Sequence, residues 1–287
     1  MGRAFGGTWS LVSAEPAPDA AAIVARIVAE IDADMSPYRP SSALSRFNAC
    51  THSDWQDMPK ALCAVSDAAL EMARATDGAF DPTVGPLVRR FGFGPISGGG
   101  GPFEHIEVAR ARMRKQARTL TLDLCGIAKG YALDRISGAL LGAGHNDFLL
   151  ELGGEIITAG RTASNRNWRV AIEDPFSERL LARYIVEPRA RALATSGHRG
   201  NGLLAPVATS HIIDPHAARP ANGFAGSVSV LAETGIKADA LATALAAMGQ
   251  QAPHFAASRN IAALFVIGAS SIGQDIMTGD FKAYIAV

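Results

Sequence analysis

Apolar residues recur along this chain with two different periods. Within Pro18 to Asp34, Ile23, Ile27 and Ile31 together with Val24 and Val28 form one stripe, which predicts a helix ending before a turn at Pro37. A second helix is expected from about Pro59 to Thr76, with Leu62, Val65, Ala69 and Met72 as its core face and Gly78 as its stop. Ile127, Tyr131, Ile136 and Leu140 predict a third, and Leu241, Leu245 and Met248 place a fourth in Ala238 to Gly249. Between them, residues 105 to 109, 118 to 124, 147 to 160, 168 to 173, 181 to 187, 190 to 195, 226 to 232, 261 to 267 and 281 to 287 read as short strands. The strands cluster instead of alternating one-to-one with helices. That order predicts an α+β fold of mostly antiparallel sheets flanked by helices, one compact unit over residues 1 to 287 with its ligand between two halves. Ser97 to Gly101 (SGGGG), the only low-complexity stretch, is expected to be a flexible surface loop.

Two segments about a hundred residues apart carry candidate chemistry. On the fourth helix Asp239 and Thr243 are four apart and share a face, largely away from the leucine stripe. A carboxylate and a hydroxyl are hard oxygen donors of the kind magnesium prefers, although an acidic residue is also favoured in the first turn of any helix. The other segment, DLCGIAKGYALD (Asp123 to Asp134), keeps its backbone bare at Cys125, Gly126, Ala128 and Gly130, where a strand-like run meets a helix. Such a turn suits an anion. Lys129 offers a point charge to a phosphate, and Gly126 leaves its carbonyl open to a metal. No Walker spacing and no GxGxxG occurs.

Further segments in a fixed order give the chain a likeness that single motifs do not. AFGGTWSLV (Ala4 to Val12), MSPYRPSSALSRFN (Met35 to Asn48), DGAFDPTVGPLV (Asp77 to Val88), LLELGGEIITAG (Leu149 to Gly160), ATSG (Ala194 to Gly197) and HIIDP (His211 to Pro215) accompany the two segments above. Together they resemble the ApbE family, the FAD:protein FMN transferases, over nearly the whole chain. The resemblance implies flavin contacts at Phe5, Tyr38, Ala79, Phe80, Asp81 and Ile213, and FAD contacts at Asp123 and Lys129. It also implies magnesium held by the Gly126 main chain, Asp239 and Thr243, with His211 the candidate for orienting or deprotonating an attacking hydroxyl. The implied reaction moves FMN from FAD to a Ser or Thr hydroxyl of another protein, and AMP leaves. FAD pyrophosphatase activity and non-catalytic FAD binding are the alternatives. The implied partner is a flavin-accepting protein of an electron-transfer system. Three departures from the family pattern stand out: Phe5 in place of methionine, Ala217 and Ala218 in place of Thr-Gly, and Cys125 in place of a small Gly or Ser.

Composition narrows the field. Lys plus Arg and Asp plus Glu are each 27, so no basic field marks a nucleic-acid binder. Cys50, Cys63 and Cys125 form no CxxC pair and are expected to be small buried hydrophobes. No apolar run approaches the ~20 residues that span a bilayer. MGRAFGG lacks the pattern of a signal peptide, so the chain as written is expected in the cytoplasm, and in the periplasm if a leader was trimmed.

Overall fold

The computed structural model describes residues 1–177, 179–197, 210–221, 226–268 and 274–286. In chain order the strands are β1 (Gly2–Ala4), β2 (Gly7–Ser13), β3 (Gln56–Asp57), β4 (Ile106–Ala109), β5 (Arg112–Lys115), β6 (Phe148–Leu152), β7 (Glu155–Ala159), β8 (Val170–Glu173), β9 (Ala182–Val186), β10 (Ala192–Gly197), β11 (Ile213–Asp214), β12 (Arg219–Pro220), β13 (Gly226–Ala232), β14 (Ala262–Ile267) and β15 (Gln274–Thr278). The helices are α1 (Ala20–Met35), α2 (Ala43–Ala49), α3 (Lys60–Ala75), α4 (Gly85–Arg90), α5 (Ala128–Gly142), α6 (Gly235–Met248) and α7 (Ala252–Ser258). Eight strands form one sheet in the order β1-β2-β6-β7-β10-β13-β14-β15. Every pairing in it is antiparallel, as the α+β reading expects.

The sheet is buried on both faces where its central strands lie. Val228 and Val230 of β13 and Ala263 and Phe265 of β14 enter the main core beneath α1, α3, α5 and α6. Their neighbours Leu231, Leu264 and Val266 point the other way, into a smaller core closed by the β8–β9 hairpin and Phe281. The period of two in a strand produces this division. No helix among the described residues is long and apolar enough to cross a membrane.

Several expectations need correction. Residues 118 to 124 do not form a strand of any sheet. Leu120, Leu122 and Leu124 are buried as their alternation implies, but the backbone bonds go elsewhere. The Asn48 amide takes both polar groups of Leu122, at 2.7 and 2.8 Å. Leu120 makes an isolated parallel bridge with Gly99. The same contacts overturn the flexible loop at Ser97 to Gly101. Gly99 N donates to Thr119 O at 2.7 Å and Thr121 N donates to Gly99 O at 3.0 Å, and a Cβ at Gly98 would meet the Thr121 methyl at 2.6 Å. These glycines allow close packing. At the C-terminus, Phe281–Tyr284 is a 3-10 turn anchored by buried Phe281, not a strand. Helices α2, α4 and α7 and strands β1, β2, β3, β5 and β15 were not expected; they are short or carry little periodicity.

The departure at Ala218 has a visible consequence. Between β11 and β12, Asp214 Oδ1 accepts from His216 N at 3.0 Å and Ala217 N at 3.1 Å. Ala218 closes that turn at φ +49°, a left-handed conformation that costs a residue with a Cβ roughly 1 kcal/mol. Ala218→Gly should therefore raise unfolding stability by roughly 0.5–1 kcal/mol; an unchanged or lowered denaturant midpoint would show that the turn is not strained.

Candidate functional site

Helices α5 and α6 cross at their N-termini with glycine on each side. A Cβ at Gly130 would lie 2.2 Å from Gly235 O, and one at Gly235 would lie 2.5 Å from Gly130 O. Each helix then lends a carboxylate to the other. Asp134 of α5 accepts from Gly235 N at 2.6 Å and Ile236 N at 2.9 Å, covering free donors at the start of α6. Asp239 of α6 accepts from Gly130 N, at the start of α5, at 2.9 Å. Burial raises both carboxyl pKa values, and these bonds oppose it.

This crossing brings the two predicted segments together. Thr243 Oγ1 lies 3.5 Å from the Gly126 carbonyl oxygen, and a Cβ at Gly126 would press on Thr243 at 2.9 Å and on Phe80 at 3.3 Å. The expected ligand-facing side of α6 is corrected in one respect. Asp239 is 3 % exposed and already bonded, and α6 is buried around most of its circumference by alanines. Leu241 and Met248, expected as core, are only partly buried. The high alanine content lets the helix sit between α5 and the sheet, so a leucine stripe does not define its inner face.

A cavity of about 1370 Å³ opens above this crossing, and every candidate residue borders it: Phe5, Tyr38, Ala79, Phe80, Asp81, Asp123, Gly126, Lys129, His211, Ile213, Asp239 and Thr243. Local chemistry explains how each segment arrives there. Phe5 (φ 51°) and Gly6 (φ 79°) form the two-residue turn of the β1–β2 hairpin, the geometry that both positive φ values require. Thr83 N and hydroxyl bond to Asp81 Oδ1 at 2.7 and 2.8 Å, a side-chain turn that presents Ala79 and Phe80. Asp123 N donates to Pro82 O at 2.6 Å, tying this turn to the next segment. Asp123 Oδ1 accepts from Cys125 N at 2.9 Å. Burial raises the pKa of both Asp81 and Asp123. Tyr38 is 68 % exposed at the rim. His211 is half-buried, edge-on to Phe93 with ring centres 6.1 Å apart. Cys125, expected to be buried, is exposed on the cavity wall; only Cys63 is fully buried.

Glu155 is the residue that the sequence reading missed. It follows the Gly153–Gly154 turn, where both φ values are again positive, so the β6–β7 hairpin delivers it to the cavity. Its Oε1 lies 2.5 Å from Lys129 Nζ, its side chain is 5 % exposed, and Oε2 has no hydrogen-bond partner. Burial, then repulsion from Asp239, pushes its pKa up to about 8 against the pull of Lys129. Burial alone would lower the Lys129 pKa, but Glu155 and Asp239 outweigh it and the net shift is upward. The Gly-Gly pair before an acid in LLELGGEIITAG was the available signal.

Among the described residues no three His, Cys, Asp or Glu side chains are grouped to hold a metal. The oxygen set of one carbonyl, one hydroxyl and one carboxylate nevertheless fits a hard cation that keeps further positions for water or phosphate. The Gly126–Thr243 approach supplies two of those donors side by side.

A glycine-bared helix start, a half-buried lysine paired with a buried glutamate, and hard oxygen donors under an apolar rim are the groups that a phosphate-bearing ligand with a ring system calls for. The ApbE family matches residues 5–265, and the chain belongs to it. Among relatives, an FAD:protein FMN transferase of Vibrio cholerae is 34 % identical over 281 residues, covering 91 % of this chain and 83 % of that protein. One of Salmonella typhimurium is 30 % identical, covering 99 % and 88 %. The solved structure of the Vibrio cholerae flavin transferase ApbE superposes with a TM-score of 0.88 at 31 % identity, covering 99 % of this chain and 97 % of that one. The ApbE protein of Thermotoga maritima superposes at 0.86 with 25 % identity, covering 99 % and 98 %.

A prediction follows from Glu155. Its carboxyl is raised from 4.5 to about 8 in the fold, so between those values the folded protein holds a proton that the unfolded chain has released. The stability this proton gives is full below the lower value and is lost as pH rises through the upper one. Without metal or nucleotide, the thermal midpoint should fall from pH 5 toward pH 8, and Glu155→Gln should flatten that fall. An identical slope in the variant would assign the effect to other groups.

Proposed function

We propose that this protein is a magnesium-dependent FAD:protein FMN transferase that places FMN on a Ser or Thr hydroxyl of an acceptor protein. The observation that carries the reading is the convergence of Lys129, the Gly126 carbonyl, Asp239 and Thr243 at the floor of a cavity with an aromatic rim. The names of the relatives support the transfer.

Tyr38, Phe80 and Ile213 supply the apolar and aromatic surface for an isoalloxazine. Below them, Lys129 places a cation where the pyrophosphate would lie. Gly126, Asp239 and Thr243 would hold magnesium, which neutralises phosphoryl oxygens when bound. His211 accepts the proton of the target hydroxyl as its oxygen attacks the FMN phosphorus. The bond from that phosphorus to the bridging oxygen breaks, AMP leaves with it, and a phosphodiester links flavin to protein. Such a transfer demands little covalent chemistry from the enzyme, so positioning and charge supply the rate.

If water took the place of the hydroxyl, the same groups would release FMN and AMP. Incubation with FAD, magnesium and an acceptor separates the readings: flavin covalently attached to the acceptor, in step with AMP, supports transfer, whereas AMP with free FMN supports hydrolysis.

FAD should bind more tightly than FMN, because the AMP half adds contacts beyond the pyrophosphate. A fluorescence titration favouring free FMN would count heavily against transfer. Asp239→Ala should lower the rate of AMP formation at limiting magnesium by at least ~10²-fold, the scale of losing one strong electrostatic stabiliser. Because it also leaves Gly130 N–H buried without its acceptor, roughly 1–3 kcal/mol of stability should be lost as well. Thr243→Ala should slow the reaction less. Wild-type rates in a folded Asp239→Ala variant would remove this metal site.

A further inference from the structure

The β8–β9 hairpin stands outside the eight-stranded sheet, and Ala171, Ile172 and Glu173 of β8 border the cavity. The contacts of β9 fix the orientation of its backbone. Glu187 N donates to Tyr284 O, and Ala286 N donates to Ile185 O, both at 2.8 Å. Residues 185 and 187 therefore face the C-terminal segment. Val186, between them, and Tyr184, before them, face β8, opposite Val170 and Ile172. Ala171 and Glu173 consequently turn their N–H and C=O groups away from β9, to the open side of β8, and no described strand pairs with them there.

This edge is firmly held. Val170 and Ile172 are buried in the second core, whereas Ala171 and Glu173 are exposed. Apolar surface continues around the hairpin, where Leu180 is 78 % and Leu181 53 % exposed. An edge of unpaired backbone groups is a template for another strand, and exposed apolar side chains at the hairpin tip, past the end of β8, offer such a strand a place to pack. The residues that match the family's flavin contacts come from other segments. A protein substrate must nevertheless bring a hydroxyl into this same cavity.

We propose that the open edge of β8 receives an extended segment of the acceptor protein as an added strand, which carries the target Ser or Thr into the cavity. The inference rests on the transferase reading above and adds how the acceptor is recognised: main-chain pairing at Ala171 and Glu173, with apolar contact at Leu180 and Leu181. Main-chain pairing tolerates varied sequence, so the contacts at the hairpin tip set the preference.

The probe is the acceptor protein of the Vibrio cholerae relative, used intact for labelling and with its target hydroxyl residue changed to Ala for binding. In wild-type protein, deuterium exchange at the Ala171 and Glu173 amides should slow when the unreactive acceptor is added and stay unchanged with FAD alone. Ala171→Pro removes a donor that points away from β9, a position where an edge strand accepts proline. It should raise the acceptor KM about five- to tenfold, the scale of one hydrogen bond. The Kd for FAD should not change. Leu180→Ser should also raise the acceptor KM, which keeps the test independent of whether the proline variant folds. Unchanged exchange with acceptor bound would overturn the proposal. So would slowing by FAD alone, which assigns the edge to the nucleotide, or slowing that depends only on protein concentration, which assigns it to a second copy. Failure of the wild-type protein to attach flavin to the acceptor would instead count against the transferase reading.

Discussion

Everything at the site depends on the crossing of α5 and α6, where two helix starts meet closely enough that neither tolerates a side chain at the contact. Two N-termini in proximity bring partial positive charges and unbonded N–H groups together, an arrangement that is unfavourable by itself. Asp134 and Asp239 remove the difficulty reciprocally, each reaching across to the other helix. The exchange fixes the axial register of one helix against the other. That register sets Gly126 opposite Thr243 and Lys129 close to Asp239. Gly130 and Gly235 are therefore required for this arrangement of the site although neither brings a functional group to it.

The charge arrangement follows from the same crossing. Asp239 and Glu155 are withdrawn from water, Lys129 is only half-buried, and the two carboxylates share its one ammonium. Such a set is unbalanced toward negative charge when the carboxylates are ionised, and burial answers by raising their pKa values. Under the proposed reading, a divalent cation held there would reverse the balance and favour a pyrophosphate at the cavity floor. The Oε2 of Glu155 makes no hydrogen bond, and burial with the nearby Asp239 keeps its carboxyl well above the ordinary range.

Much of this was legible in the sequence, for identifiable reasons. Periodicity located α1, α3, α5 and α6 because each is long enough to repeat its stripe. The candidate residues were found through ordered motifs, and the cavity collects them all. What escaped was set by tertiary contact. The alternation of Leu120, Leu122 and Leu124 correctly signalled burial and wrongly signalled a sheet, because the Asn48 side chain takes the place of a neighbouring strand. Asp239 was expected to be free for a ligand, and its bond to Gly130 could be seen only once the two helices were placed. Glu155 was hidden because a glutamate after two glycines reads first as a hairpin turn; here it is also the partner of Lys129.

The position of the cavity is itself a consequence of incomplete strand pairing. Strand β10 pairs with β13 along its whole length, from Ala192 to Gly197, but with β7 only through Ala192 and Leu193. Beyond those two pairs the strands part, because β7 begins at Glu155 immediately after its hairpin turn. Thr195, Ser196 and Gly197 are then left on the cavity wall. A longer β7 would extend the sheet across this opening and cover Glu155 and Lys129. The tight Gly153–Gly154 turn therefore does two things at once. It ends the pairing early enough to leave a cavity, and it places a carboxylate at the point where the sheet opens.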